Sequence, residues 1–218
     1  MPKVGICLAG CGVKDGSEIH ESVITILALD RANAEIVFFA PEGNQHHVVN
    51  HVSLEAQNEK RDMLLESARI ARGNIKNIKN IKASDLDAVI FPGGFGAALN
   101  LCNFGLVGEK CKVHPEVERL ILEMHKAKKP IGAICIAPSL VAKVLGSQKV
   151  QVTIGTDPGT ASKLEAMGAV HVACNVDDIV VDTKNKVVTT PAYMLAKSIK
   201  ESASGIEKLV KKIVEMIA

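Results

Sequence analysis

The sequence predicts a flavodoxin-like, doubly wound α/β sandwich: a mostly parallel sheet, helices on both faces, and a nucleophile elbow. Three observations lead there. Apolar runs of strand length alternate with amphipathic stretches of helix length along the chain. Aromatics are scarce, with five Phe, one Tyr and no Trp in 218 residues, so Ile, Val, Leu and Ala must build the core. That is the composition of parallel strands buried on both sides. Finally, the short apolar run 131–134 leads straight into Cys135 and a helix-compatible stretch, the layout of a side chain held on a sharp strand-to-helix turn.

In chain order, strands are expected at 4–9, 35–40, 88–91, 131–134, 150–154 and 179–181. Helices are expected at 17–32, 53–72, 115–127, 138–145, 159–167 and 192–217. Asp182-Thr-Lys-Asn-Lys186 separates two β-prone runs, 179–181 and 187–190, and suits a local hairpin better than a crossover. No internal repeat, low-complexity tract or linker interrupts the pattern, so residues 1–218 are expected to form one domain, able to bury roughly 70% of its unfolded surface.

The elbow crowds the backbone on either side of its nucleophile and therefore needs small neighbours, here Ala133 and Ala137. The N–H of Ile136 and the start of the next helix should face the sulfur and favour its thiolate. A free cysteine is commonly an inert core thiol. Small flanking residues and a strand-to-helix switch at this one position select the nucleophile reading for Cys135.

Ligands in open sheets of this kind gather at the carboxyl ends of the strands. Three loops should meet there: 10–17, 92–99 and the elbow. In Pro92-Gly-Gly-Phe-Gly-Ala-Ala98, Gly93 and Gly94 lack a Cβ, so their backbone can approach a ligand. An N–H from this loop, paired with that of Ile136, could bind an oxyanion beside the sulfur; a plain glycine-rich turn is the competing reading. No Lys-Ser/Thr closes the run, which excludes a phosphate-binding P-loop. The glycines of 10–16 are mis-spaced for a dinucleotide fingerprint. Ser17 is a candidate N-cap, and Glu18 should stand at the ligand edge of the sheet. A carboxyl touching a thiolate is expected to stay protonated and to move protons, with Glu18 the first choice and Glu21, one turn on, the substitute. His46, His47 and His51 are expected on a solvated face, without a metal.

The net charge of +2 gives no reason to propose nucleic acid or a membrane surface as a partner. No apolar run approaches the length of a bilayer span. Six scattered cysteines without paired C-x-x-C spacing indicate a reducing compartment. With the first strand beginning almost at Met1, the expectation is cytoplasmic, an organelle reached by a presequence being the alternative.

Ser17-Glu-Ile-His-Glu21, Ser67-Ala-Arg-Ile-Ala-Arg-Gly73, Phe91-Pro-Gly-Gly-Phe-Gly-Ala97, Cys135-Ile-Ala-Pro138 and Val188-Thr-Thr-Pro-Ala192 together resemble the class I glutamine amidotransferase-like superfamily. The branch is that of PfpI proteases and the parkinsonism-associated deglycase, and within it the ElbB type, known for enhancing lycopene biosynthesis or as a sigma cross-reacting protein. The resemblance implies a homodimer, with Cys135 as nucleophile, Glu18 as its acidic partner and oxyanion N–H groups at Gly94 and Ile136. It also implies cofactor-free glyoxalase activity on glyoxal, with protein deglycation a debated second activity and an indirect link to isoprenoid biosynthesis. One departure matters. Where amidotransferases carry a histidine after the elbow, this chain reads Val152-Thr-Ile-Gly-Thr-Asp157. The only later histidine, His171, is expected at a core or edge position. Cleavage of an amide then lacks an acid for the departing nitrogen, whereas aldehyde chemistry has no such leaving group.

The sequence therefore points to a glutathione-independent glyoxalase, a lyase that uses no metal or organic cofactor and converts glyoxal to glycolate through a Cys135 hemithioacetal. The alternative is a redox-sensing or scaffold dimer with an oxidisable Cys135.

Overall fold

The computed structural model of the protein describes residues 1–217. In chain order the elements are β1 (Lys3–Cys7), α1 (Ile19–Arg31), β2 (Glu35–Ala40), β3 (Val48–Val49), β4 (Ala56–Gln57), α2 (Met63–Ile70) and β5 (Lys76–Asn77). Then come β6 (Ala88–Phe91), α3 (Phe95–Leu99), α4 (Phe104–Val107), α5 (Pro115–Lys126), β7 (Ile131–Ile134) and α6 (Pro138–Leu145). The chain finishes with β8 (Gln151–Val152), α7 (Pro158–Ala166), β9 (Val170–His171), β10 (Val180–Asp182), β11 (Val187–Thr190) and α8 (Ile199–Ile217).

Seven strands form the central sheet in the order β10-β11-β7-β6-β1-β2-β5. Every pair in it is parallel except β10 with β11, the hairpin expected from the sequence. Its turn is fastened by Asp182, whose carboxylate accepts from the backbone N–H and the side-chain amide of Asn185 at 2.9 and 2.7 Å. The predicted doubly wound α/β class is the observed one.

Side-chain alternation divides the core between the two faces. In β6, Ala88 and Ile90 pack with Ile24 and Leu29 of α1 and with Ile206, Leu209 and Ile213 of α8. Val89 and Phe91 point the other way, onto Val117, Leu120 and Ile121 of α5 and Leu140 and Val141 of α6. Each such aliphatic side chain stabilises the sandwich by about 1.5–3 kcal/mol relative to exposure. Pro115 at the first helical position, where no N–H is needed, starts α5. Lys128, at φ 54°, ends it and turns the chain back toward β7.

Three segments depart from the sequence expectation. The helix expected over 53–72 shrinks to α2, while β3 and β4 form a small antiparallel hairpin ahead of it. Asp62 decides that boundary: its carboxylate accepts from the N–H groups of Leu65 at 3.0 Å and Gly43 at 2.8 Å, so the helix is capped there and anchored to the preceding loop. The run 150–154 does not join the central sheet. Its β8 pairs in parallel with β9 in a separate two-stranded ribbon, tied to β10 by the N–H of Gln151 donating to Asp182 at 2.8 Å. The last helix begins at Ile199, because a short 3₁₀ turn, Ala192–Met194, follows β11. That turn belongs to the site.

Reading outward from β1, the strand order departs to β2 on one side and to β6 on the other. The loops after β1 and β6 therefore splay apart at their carboxyl ends and leave a crevice. The turn after β7, next in the sheet, brings Cys135 to its edge.

Candidate active site

Cys135 occupies the expected bend. Its φ is +61°, unusual for a residue with a Cβ, and α6 begins three residues later at Pro138. The bend is held by its own backbone. The Cys135 N–H donates to Thr190 O on β11 at 3.0 Å, and the Ala137 N–H donates to Ile134 O at 3.0 Å. A strained backbone fixed from both sides is characteristic of a functional turn.

The loop after β6 closes onto this turn. A Cβ on Gly93 would stand 2.5 Å from the Cβ of Cys135 and 2.6 Å from the Glu21 carboxylate, so only glycine fits. Gly94, at φ +92°, precedes α3. The N–H groups of Gly94 and Ile136, both named from the sequence, are directed at the Cys135 sulfur and favour its anionic form.

Glu18 takes the N-cap position expected of Ser17, and Glu21, the substitute, takes the place at the sulfur expected first of Glu18. Glu18, not Ser17, is the N-cap of α1, and its carboxylate accepts from the Glu21 N–H at 2.7 Å. Ser17 instead accepts from the Ala9 N–H at 2.8 Å and pins the first loop to the end of β1. Glu21 is the carboxyl in hydrogen-bond contact with the Cys135 thiol. It is wholly buried, and its two oxygens accept from the N–H groups of Gly93 at 2.9 Å and Tyr193 at 3.2 Å. The contact with sulfur expected of Glu18 is thus made by the residue three positions on. A capping side chain folds back over the first turn of its helix, whereas position 21 points inward from that turn. Glu18 keeps a different place: it lines the pocket into which the sulfur opens.

Burial, followed by repulsion from Glu18, pushes the Glu21 carboxyl up to about 8. The acid is consequently protonated at neutral pH, as expected for a carboxyl beside this sulfur. The thiol itself departs from the sequence expectation. Burial first, and the charge of Glu21 second, push Cys135 well above an ordinary thiol, against the pull of the Gly94 and Ile136 N–H groups. At neutral pH protonation of Glu21 removes the second of these causes.

The pocket measures about 290 Å³ and is lined by Cys135, Ile136, Glu18 and Gly94 together with Val13, Phe95, Ala98, Phe104, Gly105, Tyr193 and Met194. Nothing in the chain's local pattern singles out Tyr193, although the stretch before it is conspicuous. Its N–H supports Glu21, and its hydroxyl pairs with His20 Nδ1 at 2.8 Å. Phe95 and Phe104 lay within or just after the glycine-rich loop, two of only five phenylalanines in the chain.

No histidine lines the pocket. His171 lies on β9, half-buried, with its Nε2 facing the Ile154 N–H at 3.4 Å. His47 and His51 bind the backbone of Lys14, at 3.0 Å to its carbonyl and 3.2 Å from its N–H, and thereby brace the loop after β1 rather than facing only solvent. Among the described residues no group of three or more His, Cys, Asp or Glu side chains is placed to hold a metal ion. All six cysteines are free thiols.

An open, mostly parallel sheet with a cysteine elbow and a buried acid beneath the sulfur defines a class of cysteine-centred α/β proteins. Residues 11–197 match the DJ-1/PfpI family, and this chain belongs to it. The rat ES1 protein homolog, mitochondrial, is 47% identical over 98% of this chain and 84% of its own. Human Glutamine amidotransferase-like class 1 domain-containing protein 3, mitochondrial, is 46% identical over 98% of this chain and 83% of its own. The crystal structure of an isoprenoid biosynthesis protein with amidotransferase-like domain from Ehrlichia chaffeensis superposes with a TM-score of 0.94 at 39% identity, covering 100% of both chains. These relatives bear out the resemblance to the ElbB type. They overturn the cytoplasmic expectation: rat and human relatives are both named as mitochondrial proteins, which points to the mitochondrion. Free thiols indicate a reducing compartment without saying which one, so cysteine usage could not have made that distinction.

Proposed function

We propose that the protein is a cofactor-free glyoxalase acting on glyoxal, with Cys135 as nucleophile. The observation that carries this reading is the Cys135–Glu21 contact at the base of a pocket that contains a second carboxyl, Glu18, and no histidine. Membership of the DJ-1/PfpI family, which includes cysteine-dependent enzymes, supports it.

In this reading the sulfur adds to one aldehyde carbon as its proton passes to the carbonyl oxygen, giving a hemithioacetal and leaving Glu18 free to act as base in the next step. The oxyanion is held by N–H groups of Gly94 and Ile136. Addition to a neutral carbonyl can be coupled to proton transfer, so a buried thiol need not be ionised beforehand. Glu18, which faces the pocket, then carries the proton from the first carbon to the second through an enediolate, leaving a thioester. Water releases glycolate and restores the thiol. Glyoxal plus water equals glycolic acid, so no electrons enter or leave. Glu21, sealed beneath the sulfur, holds the protonation state of the pair rather than touching substrate. Glycated side chains, the substrates of a deglycase, would present the same kind of adduct to the same groups.

Glyoxal consumption and glycolate formation, followed together, test this. Glu18→Gln should keep hemithioacetal formation but lose about 10²-fold in turnover, the typical worth of one general acid–base group. Undiminished turnover in Glu18→Gln would remove Glu18 from the mechanism. The oxidisable-sensor alternative requires a preformed thiolate, and the burial that raises Cys135 disfavours it.

We also propose that two copies of the chain associate through α1. Ile19, Val23 and Leu27 stand one turn apart on one helix face, each between 43% and 50% exposed, an apolar stripe of the kind a second chain covers. Sedimentation should give twice the mass of one chain; a monomer at micromolar concentration would end the proposal.

A further inference from the structure

The pocket is built for something larger than glyoxal. At about 290 Å³ it lies at the lower end of cavities that hold drug-sized organic ligands, roughly 300–1,000 Å³. A two-carbon dialdehyde would leave most of it to water. The Gly94 and Ile136 N–H groups converge on the Cys135 sulfur, and the Glu18 carboxyl lines the same pocket. The apolar walls are Val13, Phe95, Ala98, Phe104 and Met194. Phe104 and Ala98 are buried and fixed, while Phe95 is 46% exposed and stands toward solvent with Lys14 Nζ 5.3 Å from its ring centre. No cationic side chain lines the pocket, and the one ionisable wall group besides sulfur and the Tyr193 phenol is a carboxyl. An anion held inside the cavity beside Cys135 would meet that carboxyl without a counter-charge, since Lys14 stands outside, over the Phe95 ring.

We propose that the substrate class of this site is a neutral α-oxoaldehyde bearing an apolar substituent of aryl or branched-alkyl size. Its aldehyde lies at Cys135 and its substituent lies along Phe95, Ala98, Phe104 and Met194. The inference rests on the glyoxalase reading and names what that chemistry acts on. The reaction is unchanged: the aldehyde carbon bonds to sulfur, its hydrogen moves as a proton to the neighbouring carbon, and water releases the 2-hydroxy acid. Burial of the substituent supplies binding that glyoxal cannot obtain.

The test compares kcat/KM of the full chain for glyoxal, methylglyoxal and phenylglyoxal. The expected order rises from glyoxal to phenylglyoxal by about tenfold or more. Phe95→Ala, at a half-exposed position that tolerates truncation, and Ala98→Leu, which fills the cavity, should each lower the phenylglyoxal-to-glyoxal ratio at least about threefold. A flat series, or a ratio that neither variant moves, overturns the inference while Cys135-dependent turnover leaves the glyoxalase reading standing. Should no dicarbonyl be turned over, that reading fails, and protection of Cys135 from iodoacetamide decides the pocket's preference separately. Acetophenone protecting at a concentration at least about tenfold below acetone supports an apolar carbonyl ligand; equal protection, or none, overturns it.

Discussion

Cys135→Ala should lower kcat/KM for glyoxal by about 10³-fold or more, to the level of the uncatalysed solution, while the protein remains folded. The size of the effect follows from what the sulfur does: without it no covalent adduct forms, and the remaining N–H groups have no oxyanion to hold. Alanine keeps the Cβ at the φ +61° position, so backbone strain is unchanged and the substitution tests chemistry rather than folding. Circular dichroism and a melting curve should superpose closely on wild type. Cys135→Ser should be nearly as inactive, since a buried hydroxyl is harder still to deprotonate than a thiol in the same place. An alanine variant that turned over glyoxal at the wild-type rate would place the chemistry elsewhere in the molecule.

The stability of the protein should fall as pH rises from about 5 to 9, and Glu21 should be a main cause. Its folded value, about 8, lies above its ordinary value of 4.5. Between these limits the folded chain binds a proton that the unfolded chain has released. Stability from this group is therefore complete below about pH 4.5 and is lost as pH climbs through 8, with a slope of at most about 1.4 kcal/mol per pH unit and a total on the order of a few kcal/mol. The sign is opposite to that of a salt-bridged carboxylate. Urea unfolding at intervals across this range, for wild type and Glu21→Gln, measures it. Glutamine cannot accept from both the Gly93 and the Tyr193 N–H groups, because one of its two terminal atoms is itself a donor. The variant should start lower by about 1–3 kcal/mol at acid pH and approach wild type as pH rises. Two parallel curves would show that Glu21 is not held protonated by the fold.

Much of this was legible in the sequence. Strand-length apolar runs at 35–40, 88–91 and 131–134 became strands with those bounds, because a central parallel strand must be apolar on both faces and leaves a continuous signature, and the β-prone run 187–190 became β11. Cys135 could be picked out for a similar reason. A bend that tight tolerates only small residues on either side, so Ala133 and Ala137 record its geometry in composition alone. The hairpin at 182–186 was visible in its turn residues.

What the sequence could not supply was distance. Glu18 and Glu21 differ by one helical turn, and both are acidic residues at the start of α1; nothing local distinguishes a cap from a group buried under sulfur. Tertiary packing made the choice: the loop after β6 and the turn after β11 both direct an N–H at position 21, and Gly93 leaves the room for it. The direction of the Cys135 shift was hidden for the same reason. A helix start and nearby N–H groups are local features that lower a thiol, but burial is a property of everything packed around it, and here burial is the larger effect. Walls contributed by Val13, Phe95, Phe104 and Met194 come from four separate segments, the loop after β1, α3, α4 and the turn after β11, so the pocket's apolar character exists only once the sheet has gathered its carboxyl ends. Patterns along a chain fix which residues are inside; only the folded arrangement decides which of them meet.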